Sequence, residues 1–108
     1  MKILLAFTYL LCFPFIAHAE QAITGKKFVE ICARNNQELV CKTILLSSIK
    51  RVEKTEVGNK KIICLPDSVG PAEEMIVVKN FIRASPAHLH LSLDILSLGA
   101  LQAAFSCN

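Results

Sequence analysis

Residues 71–105 read PAEEMIVVKNFIRASPAHLHLSLDILSLGALQAAF, and this stretch predicts two consecutive helices. Pro71 suits a first helical position, where its missing N–H would have no partner anyway. Glu73 and Glu74 then fall in the first turn, at the positive end of the helix dipole. Met75, Val78 and Ile82, with Val77 and Phe81 alongside, recur at helical spacing and predict a buried stripe. Ser85-Pro86 ends this helix and starts the next, with Ser85 as its cap and Pro86 in its first turn. From there to about Phe105, Leu89, Leu93 and Leu96 form one row and Leu91, Ile95 and Leu98 another. Such wide apolar coverage predicts a central helix.

Two more helices are expected upstream. Phe28, Ile31 and Cys32 have i, i+3, i+4 spacing over about 24–34, and Asn35-Asn36 ends that segment in a turn. Over about 37–54, Cys41, Leu45, Ser48 and Val52 share a stripe with Ile49 close by, while Lys42, Lys50, Arg51 and Glu53 take the opposite side. The β-branched residues favour strand, but a run this long favours helix. Between 55 and 66 the pattern breaks: Val57-Gly58-Asn59 is a turn signal, and Lys60-Lys61-Ile62-Ile63 suits a short extended piece. The expected fold class is therefore all-α, a small bundle of four to five short helices.

The chain's 108 residues are 53% hydrophobic, a figure inflated by its start. Lys2, an apolar run from Ile3 to Ala17 and the small-x-small triplet Ala17-His18-Ala19 have the form of a secretory signal peptide. Residues 1–19 are thus expected to be removed, leaving one domain over 20–108. The apolar run, about 15 residues, falls short of the roughly 20 needed for a spanning helix. Leu11 before Cys12 does not suit a lipoprotein site. Cleavage removes Lys2, leaving eleven Lys and Arg against nine Asp and Glu, and removes the sole Tyr from a chain without Trp. So weak a positive charge and so few aromatic rings argue against nucleic-acid binding.

Export changes the meaning of the cysteines. Cys32, Cys41, Cys64 and Cys107 are an even set for an oxidising compartment, which predicts two disulfides. A zinc site is a poor alternative, because there is no C-x-x-C pair and His88 and His90 are two residues apart. Four cysteines allow three pairings. If the last two helices form a hairpin about Ser85-Pro86, Cys64 and Cys107 lie at one end. The Asn35-Asn36 turn likewise brings Cys32 to Cys41. Cys32–Cys41 with Cys64–Cys107 is the favoured pairing, and Cys32–Cys107 with Cys41–Cys64 the next. On the chain-entropy model the favoured loops contribute about 2.7 and about 4.0 kcal/mol.

No enzyme is expected. The carboxylates are scattered, the cysteines are paired, and no glycine-rich phosphate loop occurs, so neither catalytic residues nor a cofactor or metal site can be named. The best partner-binding candidate is the irregular stretch Glu56, Val57, Gly58, Asn59, Lys60 and Lys61. A loop held by a disulfide at Cys64 can enter a cleft at low entropic cost; the alternative is an ordinary exposed connection. Lys50, Arg51 and Lys54 beside it form either a steering positive rim or a solvated helix face. His88 and His90 are expected in the first turn of the fourth helix, in capping or packing roles, with pH sensing as the alternative.

In order along the chain come Phe-Val-Glu-Ile-Cys at Phe28–Cys32, Cys41 followed by Ile44-Leu45, and Cys-Leu-Pro-Asp-Ser-Val at Cys64–Val69. Val77-Val78-x-x-Phe81-Ile82, Ser85-Pro86-x-His88-Leu89-His90-Leu91 and Ala100-Leu101-Gln102-Ala103-Ala104-Phe105-Ser106-Cys107 follow. This series resembles the Rap/Tai family, the immunity proteins of type VI secretion amidase effectors, over nearly the whole exported segment. It departs in two places. Lys42-Thr43-Ile44-Leu45-Leu46 stands where members carry Gly-Tyr-Ile-x-Gly, and Val69-Gly70 where they often carry Val-Thr.

The resemblance implies a periplasmic protein that binds a cognate peptidoglycan amidase toxin with a Cys-His active site. It would block the cleft by occlusion without chemistry of its own, commonly as a homodimer. The alternative expectation is a small disulfide-stabilised periplasmic chaperone or accessory protein of the acid-stress type. Two histidines and nine carboxylates in the exported segment are few triggers for such a switch.

Overall fold

The structure, a computed structural model, describes residues 22–107. The expected signal peptide over 1–19 and its cleavage position lie outside the described residues. Four α-helices are present among them: α1 (Gly25–Cys32), α2 (Glu38–Val52), α3 (Pro71–Arg83) and α4 (Leu93–Ala104). Between α2 and α3 stand two short antiparallel strands, β1 (Glu56–Val57) and β2 (Lys60–Lys61). The fold is mostly helical, and this strand pair corrects the expectation of a purely all-α domain. No helix of the described residues is long and apolar enough to cross a membrane.

α4 is the hub, packing against each of the other three helices. Its Leu93, Leu96, Ala100 and Leu101 meet Leu45, Ile49 and Val52 of α2, Val78 and Ile82 of α3, and Phe28 of α1 in one continuous core. α2 buries the stripe legible in its sequence, Cys41, Leu45, Ser48, Ile49 and Val52. Its Glu38 in the first turn and Lys50 and Arg51 in the last complement the helix dipole. Pro71 does open α3, behind Gly70. Cys32 is bonded to Cys41 and Cys64 to Cys107. The first closes the turn between α1 and α2. The second ties the segment before α3 to the end of α4.

The fourth helix departs from expectation. Residues 86–105 do not form one helix: Pro86–His88 is a single 3-10 turn, and α4 starts only at Leu93. Ser85 makes no side-chain cap, whereas Ser92 Oγ accepts from Ile95 N at 3.2 Å. The break has a non-local cause. The carbonyls of Leu89 and Leu91 accept from Lys26 N and Gly25 N, both at 2.9 Å, and Leu93 N donates to Ile23 O at 2.7 Å. The first turn of α1 thus satisfies its otherwise unpaired N–H groups on this segment, while Thr24 Oγ1 accepts from Lys27 N. Once helix geometry begins at Leu93, Ile95 points outward and is 55% exposed rather than part of a buried row.

Gly25 allows this close seam. It is buried, and a Cβ there would collide with Leu96 Cδ1 and lie 3.3 Å from the Leu89 carbonyl. Leu96 is itself 2% exposed and has no room to swing away. Gly25→Ala is therefore expected to destabilise the domain by about 1–3 kcal/mol, in spite of alanine's better helix propensity. Urea melts of the two proteins measure this, and an unchanged or raised midpoint would contradict the seam.

Candidate functional site

The six residues Glu56, Val57, Gly58, Asn59, Lys60 and Lys61 come together as a tight β-hairpin. Glu56 faces Lys61 and Val57 faces Lys60 across the strands. Gly58 has φ +58° and Asn59 φ +65°. Two consecutive positive φ angles define a type I′ turn, whose twist matches that of the flanking strands. Gly and Asn are the residues that tolerate this region, so Gly58-Asn59 is the local cause of the hairpin. All six residues are exposed, Val57 at 63%. The Glu56–Lys61 pair sets opposite charges directly across the ladder, a favourable arrangement.

Both ends of the hairpin are fixed to the core. On the entering side Thr55 N donates to Val52 O at 3.0 Å, just past the end of α2. On the leaving side Ile63 is 2% exposed and forms a β-bridge with Ser106, and Cys64 N donates to Phe105 O at 2.7 Å. The Cys64–Cys107 disulfide locks that end, with Cα atoms 5.0 Å apart. A hollow of about 430 Å³ opens beneath the hairpin, with Lys54, Lys61 and Glu53 around Ile63 and Leu65. A projecting, pre-ordered turn with an apolar tip side chain and two lysines results.

Of the three cations beside it, one is engaged elsewhere. Arg51 turns to Asp94 of α4, its Nε donating to Oδ2 at 3.0 Å and its Nη2 to Oδ1 at 2.9 Å. Ser48 Oγ also donates to Asp94 Oδ1 at 2.6 Å, and Ser48 and Ser97, both fully buried, share a hydrogen bond of 3.0 Å. The Arg51 hydrogen bonds hold the Asp94 carboxyl below its ordinary value, against the opposing effect of partial burial and with help from Ser48. Lys50 and Lys54 remain exposed.

This polar network knits α2 to α4, and its one sign in the sequence is Ser48 on an otherwise apolar stripe. Asp94→Ala is expected to cost about 1–2 kcal/mol, because it leaves the Ser48–Ser97 pair short of its acceptor while losing a largely solvent-screened ion pair. Because Asp94 is held low, its contribution is present above its ordinary 3.8 and is lost as pH falls below that. Denaturation of wild type and variant at pH 7 and pH 2.5 tests this: the gap between them should narrow at the lower pH, and a constant gap would refute the ionic part.

A second buried polar group lies between the end of α2 and the start of α3. Glu74 is 6% exposed and its Oε2 has no hydrogen-bond partner among the described residues. Burial pushes its carboxyl up to about 7, and the charge and hydrogen bonding of neighbouring Glu53 push the same way. In the sequence Glu74 looked like a dipole-compensating surface residue; its partner, twenty-one positions away, gave no local signal.

His88 and His90 lie in the 3-10 turn and the turn after it, not in the first turn of a fourth helix. Both are exposed, with ring centroids 6.5 Å apart. Among the described residues no three of His, Cys, Asp and Glu gather as a metal site would require. No protein-family model matches the chain, and no curated protein and no solved structure matches it.

Proposed function

We propose that the chain is an exported, periplasmic immunity-type protein that binds the peptidoglycan amidase effector of a type VI secretion system and occludes its active-site cleft. The observation that carries this reading is the hairpin at 56–61: exposed throughout, turned by Gly58-Asn59 and anchored at both ends. A segment ordered before binding loses little conformational entropy on entering a cleft. Val57 at 63% exposure supplies an apolar anchor, and Lys60 and Lys61 steer an acidic rim. The two disulfides suit an oxidising, extracytoplasmic compartment. The series of sequence blocks from Phe28 to Cys107 supplies the choice of partner. A homodimer belongs to the same reading.

The test reverses the hairpin's chemistry while leaving its turn intact. Val57→Asp, which sets a carboxylate directly opposite Lys60, is expected to weaken inhibition of the amidase at least tenfold without lowering the melting temperature, since this exposed side chain does not reach the core. Unchanged inhibition by a fully folded variant would remove the hairpin from the interface.

A further inference from the structure

A groove of about 520 Å³ runs between α1 and the end of α3, away from the hairpin. Phe28 and Ile82, each 3% exposed, form its floor, with Val29, Pro86 and Leu89 as walls. Lys79 and Arg83 stand at its mouth, and neither makes an ion pair with another described residue. At the Lys79 end a second hollow of about 560 Å³ continues past the Cys32–Cys41 disulfide, where Arg34 and Lys42 outnumber Glu38. The groove thus joins apolar lining to two exposed cations, in the size range of small-ligand pockets.

We propose that this trough binds a single-chain amphipathic anion, a medium-chain fatty acid, with the acyl chain over Phe28 and Ile82 and the carboxylate between Lys79 and Arg83. A bare inorganic anion would leave the apolar walls at Val29, Pro86 and Leu89 wet, and a neutral or cationic amphiphile would bring no counter-charge to Lys79 and Arg83. Each methylene buried on the floor raises affinity roughly fourfold at most, so chain length is read directly. This site is independent of the hairpin and of the partner assigned to it.

The test titrates the disulfide-bonded protein with decanoate, below the concentration at which it forms micelles, and follows backbone amide resonances. Octanoate, decyltrimethylammonium and an acidic apolar peptide serve as comparison ligands. Saturable shifts at Phe28, Val29, Ile82 and Leu89 are expected with decanoate, weaker ones with octanoate, and at least tenfold weaker binding of the cationic amphiphile. Arg83→Gln, a surface change that spares the core, should weaken decanoate several-fold, and Lys79→Gln with Arg83→Gln at least tenfold, with the fold retained. Equal affinity for the two ten-carbon amphiphiles, or shifts spread over exposed Leu39, Ile76 and Ile95, would overturn the proposal. Saturable binding of the acidic peptide where decanoate does not bind would overturn it too, assigning the trough to a protein segment.

Discussion

Replacing Cys64 and Cys107 together by serine is expected to lower the stability of the domain by about 4 kcal/mol, on the chain-entropy model for a loop spanning a separation of 43 residues. For a chain this small such a loss is comparable with the whole net stability. The same change for Cys32 and Cys41, separated by 9 residues, should cost less, about 2.7 kcal/mol. The ordering matters more than either value. The longer loop ties the hairpin's exit to the end of α4, so its loss should also blunt partner binding at temperatures where the fold survives. Chemical denaturation of the two double variants under matched conditions checks the ordering. A Cys32/Cys41 variant less stable than the Cys64/Cys107 variant would show that native-state packing, rather than loop closure, dominates.

The second large effect is in the pH dependence. Glu74 has a folded-state pKa near 7 against an ordinary 4.5. Below pH 4.5 the carboxyl is protonated whether the chain is folded or not, and the full stability is present. Between 4.5 and 7 the unfolded chain releases this proton while the folded chain keeps it, so stability falls with rising pH. Above about 7 the loss levels off at about 3 kcal/mol for a shift of this size. Glu74→Gln, which keeps the shape and removes the charge, is expected to recover most of that loss at pH 8 and to change little at pH 4. Urea denaturation across pH 4–8 measures both proteins, and a variant that gains nothing at pH 8 would show that Glu74 ionises there without cost. The direction also bears on function. A chaperone of the acid-stress type must loosen as pH falls, and Glu74 acts in the opposite sense in the range from neutral to pH 4.5.

Local chemistry accounts for what was legible in the amino-acid sequence. Pro71 in a first turn, the Cys41–Leu45–Ser48–Val52 stripe, and the Gly58-Asn59 turn signal each rest on neighbours within a few residues. Cysteines on either side of a tight turn or at the ends of a helical hairpin have few partners within reach. Contacts made across the chain were hidden. The rows Leu89–Leu93–Leu96 and Leu91–Ile95–Leu98 have a spacing that suits a continuing helix, and only the N–H groups of Gly25 and Lys26, more than sixty residues from Leu89 and Leu91, explain why the segment before Leu93 unwinds. The strands beside Gly58-Asn59 are two residues each, too short for any alternation to announce them. Arg51 looked like a surface cation because Asp94 is forty-three positions off. Glu74 looked solvated because Glu53, at the end of another helix, was not visible as its neighbour.

The central claim, that this domain is an occluding inhibitor of a peptidoglycan amidase, is tested most directly by one experiment. The disulfide-bonded domain, residues 20–108, is co-purified with the amidase effector of the producing cell, and hydrolysis of peptidoglycan peptides is assayed with and without it. The account predicts a stoichiometric complex in which hydrolysis stops, and in which the hairpin variant Val57→Asp restores it. A folded domain that neither binds the amidase nor slows it would contradict the account.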